Sequence, residues 1–165
     1  MELKGKIKAD LNENLKEKKE VEVLTLRQLL AAILNKEKEK RIKLKKEKDE
    51  IKEEELEKES HLTDEEVIEV VSSEIKIRKE AILEFGKGGR EDLVEKEKKE
   101  LEILKKYLPE QLSKDEIKKL VKEAIEKIGA SSLKDLGKVM RELMPKVKGK
   151  ADGSLVSKTA KELLS

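Results

Sequence analysis

From Leu3 onward, apolar residues return every three to four positions along most of the chain, the spacing that lines one face of an α-helix. Leu3, Ile7, Leu11 and Leu15 draw a narrow stripe on a helix of about four turns. Val23, Leu26, Leu30 and Ile33, joined by Leu29 and Leu34, draw a second, and the two helices are expected to pack as a hairpin. Beyond Leu34 the stripe thins. Ile42, Leu44, Ile51 and Leu56 are too sparse to define a packed face, so residues 36–60 are expected to form a solvated, charged helical extension held by Glu-to-Lys pairs. Thr63 and Glu66 then spell a capping box, with Leu62 and Val67 placed to staple the first turn. The helix they start carries Val67, Val71, Ile75, Ile82 and Phe85, interrupted by Arg78, and is expected to stop at a left-handed Gly86. A further helix is expected over 90–108, with Val94, Leu101, Leu104 and Leu108 inward, Tyr107 beside them and Pro109 as its end.

A second complete set of start and stop signals follows Pro109. Ser113 and Glu116 make another capping box, and Leu112 faces Ile117 as a staple. Ile117, Leu120, Val121, Ala124, Ile125 and Ile128 give a clean face closed by Gly129. Ser132 and Asp135 are placed to cap a helix carrying Leu133, Leu136, Val139, Met140 and Leu143, which Pro145 is expected to stop. Asp152 can cap the last helix, whose inner face is Val156, Thr159, Ala160, Leu163 and Leu164. The predicted organisation is an N-terminal helical domain over 1–108 and a three-helix module over 110–165, the latter near the lower size limit for a core without staples.

Composition agrees with an all-α fold. Charged residues make up 47% of the chain, hydrophobic residues 36% and aromatics 1%, a balance suited to exposed amphipathic helices rather than to strands. With no cysteine there is no disulfide, no thiolate nucleophile and no sulfur-based zinc site. No apolar run has the length of a signal peptide or a membrane span, so a cytoplasmic protein with no membrane partner is expected.

Candidate chemistry is sparse. His61, the single histidine, lies between an acidic run and a helix cap and reads as an exposed loop residue, which leaves no basis for a histidine triad. Gly86-Lys87-Gly88-Gly89-Arg90 superficially suggests a phosphate loop. No serine or threonine closes it, no strand precedes it, and Glu91 and Asp92 would repel a phosphate, so it reads as a turn. Ser131 and Ser132 are explained by capping, and no catalytic residue, metal site or cofactor is expected. Gly137 stands out because a glycine inside a helix costs ~1 kcal/mol relative to alanine. Close packing of another helix against it is the favoured explanation, ahead of close approach by a ligand.

Charge is distributed unevenly. Residues 36–48 hold eight bases and three acids, for +5, whereas residues 49–66 hold ten acids and two lysines, for −8. An RNA-binding arm at 36–48 is an alternative to a plain exposed helix. Residues 134–150 hold six bases and two acids, for +4, in a chain whose total is only +2. Such a cluster forms a local field suited to an anionic partner. Lys138 and Arg141 share a helix face by their three-residue spacing. Lys146, Lys148 and Lys150 alternate along what is expected to be an extended loop after Pro145, and join that face only if Pro145 folds the loop back.

This same stretch carries a family resemblance. Gly137-Lys138-Val139-Met140, followed by Met144-Pro145-Lys146-Val147-Lys148-Gly149-Lys150-Ala151-Asp152-Gly153, resembles the signature of the GatB/YqeY family. The resemblance extends through Lys76-Ile77-Arg78-Lys79, Gly89-Arg90-Glu91-Asp92-Leu93-Val94, Tyr107-Leu108-Pro109-Glu110-Gln111-Leu112-Ser113 and Ile128-Gly129-Ala130-Ser131-Ser132. The segment Asn35 to Ser60 is longer and more charged than that pattern. The family is named for the tail domain of the B subunit of the bacterial tRNA-dependent amidotransferase and for stand-alone proteins similar to it. The resemblance therefore implies an accessory, non-catalytic protein that binds structured, tRNA-like RNA, with a larger amidotransferase or translation-related complex as a further partner. Lys138, Arg141, Lys146, Lys148 and Lys150 are its candidate RNA contacts, and Gly137, Val139, Met140, Pro145, Gly149, Ala151 and Asp152 are the motif residues around them. Phe85 and Tyr107 are too few for a base-stacking platform, so phosphate and shape contacts should dominate. Two alternatives stay open: carbon-nitrogen ligation with glutamine as amide donor inside a complex, and a helical protein-interaction adaptor.

Overall fold

The computed structural model describes residues 2–48 and 50–165, and every regular element among them is helical. The helices are α1 (Glu2–Lys16), α2 (Glu20–Glu47), α3 (Glu53–Ser60), α4 (Asp64–Lys87), α5 (Glu91–Lys105), α6 (Lys114–Ile128), α7 (Leu136–Val147) and α8 (Gly153–Leu164), with a 3-10 turn at Leu133–Asp135. The chain divides into two compact units, Met1–Tyr107 and Leu108–Ser165.

In the first unit α2 is the central element, packed against α1, α3, α4 and α5, while α4 and α5 form a hairpin. Ile7, Leu26, Leu29, Ile33, Val67, Val71, Val94 and Leu104 lie in its core. Thr63 accepts from the Glu66 N–H at 3.2 Å and Glu66 accepts from the Thr63 N–H at 2.8 Å, so the capping box that starts α4 is complete. Leu62 and Val67 are both buried beside it. Tyr107, at the end of the unit, is 6% exposed and donates to Asp10 on α1 at 2.7 Å. Burial and then the neighbouring carboxylate push the phenol well above its ordinary pKa, so it stays a neutral donor.

Several local expectations are corrected here, each for a tertiary reason. Leu15 and Leu34 are exposed, because α1 and α2 turn those positions away from their partners. α4 runs through Gly86 to Lys87, and Gly89 is the residue at positive φ, 67°. Any glycine in that run could adopt the left-handed conformation, and the chain uses the one from which α5 departs. α5 ends at Lys105, before the turn that leads to Tyr107. The described residues of 36–60 are mostly helical and exposed and are joined by Glu-to-Lys pairs, but they fold back on themselves around a buried Leu56. α2 continues to Glu47, and α3 packs back on it with Leu56 fully buried and Ser60 6% exposed. The sign switch in the sequence is charge complementarity between two packed helices. Arg41 on α2 pairs with Glu53 on α3, Lys48 pairs with Glu59 at 2.7 Å, and Lys40 reaches Glu66 at 2.7 Å and the His61 carbonyl at 3.1 Å.

Arg78 does not interrupt the α4 stripe; it is buried within it, at 8% exposure. Its guanidinium donates to Glu74 at 2.8 Å and to Gln28 on α2 at 2.7 Å, and lies 3.3 Å from Glu100 on α5, itself 3% exposed. Glu37 is the centre of a second buried charge cluster. Lys4 on α1 donates to both its oxygens at 2.6 Å, the Leu62 N–H donates at 3.3 Å, and His61 Nδ1 lies at 3.4 Å. His61 is thus half-buried against a carboxylate rather than an exposed loop residue. Burial pushes the Glu37 carboxyl up, but Lys4, Leu62 and His61 together outweigh it and hold the group below its ordinary value.

The second unit is a three-helix assembly whose stripes interlock: Ile117, Val121 and Ala124 from α6, Val139, Leu143 and Val147 from α7, and Val156, Ala160 and Leu164 from α8. The α6 capping box is complete, with Ser113 and Glu116 exchanging bonds at 2.8 and 3.2 Å, and Gly129 closes the helix at φ 68°. Asp152 accepts from the Ser154 N–H at 2.9 Å and starts α8.

Two predictions test these buried charges. Arg78→Ala is expected to destabilise the first unit by about 3–5 kcal/mol, because it strands Glu100 in the core. Replacing both residues, Arg78→Met with Glu100→Leu, should recover much of that loss in chemical denaturation. Glu37 has a folded pKa below its unfolded value, so its contribution is complete above about pH 4.3 and is lost as pH falls through the folded value. Glu37→Gln should make stability fall less steeply with acidification in that range, read from thermal melts across pH.

Candidate functional site

α7 and the turns at its two ends hold the motif residues. Its inner face is fixed by Val139, Leu143 and Val147, all 2% exposed or less. That stripe explains why Pro145 does not stop the helix, which continues to Val147 with Pro145 inside its last turn. Proline removes one N–H near the helix end, and burying Val147, at about 1.5–3 kcal/mol for a large aliphatic side chain, offsets the loss. Ser132 also departs from expectation, since its side chain makes no capping bond. Asp135 instead accepts from the Ser131 N–H at 3.2 Å and from Lys138 at 3.3 Å. Those two donors, Ser131 first, hold the Asp135 carboxyl below its usual range.

The five cations do not gather as one extended strand. At about 100° per residue, Lys138 and Arg141 fall within about 60° of each other on the outer side of α7. Both are exposed. Lys148, which follows the last residue of α7, comes seven residues after Arg141 and so returns to its side of the axis. Lys146 lies in the last turn of α7, about 140° round from Arg141. Its ammonium is 3.8 Å from Glu142, which also accepts from Lys127 on α6 at 2.5 Å. Lys127, above all, holds the Glu142 carboxyl below its ordinary value. Lys150 sits in the turn beyond α7, and its carbonyl accepts from the Leu112 N–H at 2.7 Å. The helix thus brings Lys138, Arg141 and Lys148 to one side and turns Lys146 away from it, while Lys150 lies in the turn beyond the helix.

Most other motif residues have structural work. Val139 is core, Met140 packs at its edge, Ala151 packs beside it, and Asp152 caps α8. Gly149 takes φ 72° in the turn after α7, and its carbonyl accepts from Gln111 at 2.8 Å. Its glycine is therefore required by backbone conformation rather than by a ligand. Gly137 is different. A Cβ built there meets no atom within 4 Å, so no helix packs against it and the close-packing explanation fails. It lies about 40° from Arg141 on the outer face, with Met144 about 20° beyond it on the side away from Arg141. Met144 is 43% exposed and Leu133, expected in the core, is 52% exposed. The outer face of α7 therefore combines cations, the exposed side chain of Met144 and an uncovered glycine, with exposed Leu133 in the 3-10 turn before it. The spacing of Gly137, Arg141, Met144 and Lys148 at four, three and four residues carried that signal in the sequence.

No group of three or more His, Cys, Asp or Glu among the described residues is arranged to hold a metal ion. Among the same residues, no helix is long and apolar enough to cross a membrane.

Comparison with known proteins gives two kinds of match. The family described as Yqey-like protein matches residues 47–164. The chain is 36% identical over 105 residues to a Pyrenophora tritici-repentis protein named altered inheritance of mitochondria protein 41, mitochondrial. That match covers 62% of this chain and 58% of the relative. It is 45% identical over 51 residues to an uncharacterised protein of Schizosaccharomyces pombe, covering 31% of this chain and 42% of that one. The chain thus matches well under two thirds of either relative's length.

Because nothing in the fold occupies the space beside Gly137, Gly137→Ala is expected to stabilise the isolated chain by up to about 1 kcal/mol. Thermal unfolding of the second unit's helices would show this as a raised midpoint.

Proposed function

The chain belongs to the GatB/YqeY family, and from that premise we propose that it is an accessory, non-catalytic cytoplasmic protein that binds structured, tRNA-like RNA through the outer face of α7. The observation that carries this reading is the exposure of Lys138 and Arg141 on one helical face, with Lys148 on the same side and no side chain at Gly137 to hold a ligand away. Cations so placed can meet successive phosphates, and the bare backbone at Gly137 permits close approach of a ribose or phosphate. Exposed Met144 and Leu133 add apolar contact that phosphates alone would not require. Lys146 and Lys150 supply peripheral charge. In this reading the second unit acts as the RNA-contacting domain, and any larger amidotransferase or translation-related complex supplies the chemistry.

Ligase activity with glutamine as amide donor is the weaker reading. Ser131 and Ser132 lie in the turn before α7, where the Ser131 N–H donates to Asp135, and this structural role supplies no activated nucleophile. A protein-interaction adaptor would use the same α7 face with Met144 as its anchor, and Leu133 in the turn before it.

Lys138→Gln with Arg141→Gln should weaken binding of a transfer RNA transcript and flatten its salt dependence by about 1.4–1.8 in the log-log slope, roughly 0.7 to 0.9 per lost phosphate contact. Lys146→Gln with Lys150→Gln should change both less. Filter binding across a salt series separates the outcomes, and an unchanged slope in the first variant would pass the α7 face to the adaptor reading.

A further inference from the structure

The C-terminal part of α2 carries the densest positive charge in the chain, yet acidic groups cover it. Residues 36–48 sum to +5, and α3 packs against α2. Arg41 is held by Glu53, Lys48 by both oxygens of Glu59 at 2.9 and 2.7 Å, and Lys40 by Glu66 at 2.7 Å. The carboxylates at Arg41 and Lys48 occupy the places that phosphate oxygens would take on a basic helix.

The cover is held lightly. α3 is eight residues long, its start at Lys52 has no side-chain cap, and Leu56 is its one buried apolar anchor. Glu53 and Glu59 pair from side chains 67% and 36% exposed, where ion pairs are weak and screened by salt. A short helix with one anchor and screened pairs belongs to the low-stability end of local unfolding. By contrast, α2 beneath it is continuous with the core through Leu26, Leu29 and Ile33.

We propose that residues 36–48 of α2 are a second RNA-contacting surface, and that α3 is an internal phosphate mimic that must lift for RNA to bind there. RNA is favoured over a protein partner by the chemistry of the surface. Its apolar residues are only Ile42, 58% exposed, and half-buried Leu44, whereas its cations ring the helix. A protein interface needs an apolar centre from which charge is depleted, while a phosphate strand needs only the cations. Binding and α3 docking are then mutually exclusive, and each weakens the other by the same factor.

The test uses the full chain carrying Lys138→Gln and Arg141→Gln, so that failure of the α7 reading does not bear on it, with polyuridylate as the probe. In that background Glu53→Gln with Glu59→Gln is compared with Glu95→Gln with Glu102→Gln. The two variants have equal net charge. Each releases two cations, in the second case Lys98 and Lys105 on α5. The α3 variant is expected to bind about tenfold more tightly than the α5 variant, with a slope steeper by about 1.4 for two added single-strand contacts. Equal affinity and slope in the two would overturn the proposal. A second readout needs no change in α3: polyuridylate at saturation should speed hydrogen exchange of the α3 amides, and unchanged or slower exchange there would also overturn it. Tighter binding of an acidic helical peptide, without any gain for polyuridylate, would assign the surface to a protein instead.

Discussion

Arg78 stands where α2, α4 and α5 meet, and its two terminal nitrogens tie the three helices together. An arginine 8% exposed is tolerable only with partners at hand. Gln28, Glu74 and Glu100 supply them from three helices, which fixes the relative rotation of those helices more sharply than apolar contact would. The same logic recurs at Glu37, where one carboxylate ties α1, α2 and the start of α4 together. With 36% hydrophobic residues against 47% charged, the chain uses charge as packing material.

That constraint separates cations that join one helix to another from cations that do not. In the first unit Arg78, Lys4, Lys40, Arg41 and Lys48 all hold one helix to another or to the segment between them. The second unit closes its core with aliphatic residues alone, from Ile117 to Leu164. The cations on the outer face of α7 are not needed for that core. Lys138 pairs with Asp135 only three residues away, a local exposed contact of little weight. A cationic surface that the core does not require supports the proposal that an anionic partner docks there.

Much of the fold was legible because its signals are local. The boxes at Thr63 and Ser113, the left-handed Gly129 and the cap at Asp152 are each written within four residues, and each forms. What could not be read depends on partners distant in sequence. Arg78 looked like a break in a stripe because Gln28 and Glu100 lie far away along the chain. Leu56 looked solitary because the face it completes belongs to α2 and the elements packed with it. Pro145 looked like a stop because the gain from burying Val147 is invisible to local propensity. In the candidate site the exposed pair Lys138 and Arg141 followed from helical spacing. Lys146 was misplaced once the helix was taken to end early, and Leu133 was misassigned to the core because a 3-10 turn, rather than an α-helical one, carries it.

The account turns on where RNA touches the chain, and backbone amide chemical shifts during titration with a transfer RNA transcript report this residue by residue. The expected result is a contiguous set of perturbed amides along 133–150, strongest near Gly137, Arg141 and Met144, with the amides of Val156, Ala160 and Leu164 on the inner face of α8 little changed. Perturbations spread evenly over exposed lysines such as Lys99, Lys106 and Lys122, with none concentrated on α7, would contradict it.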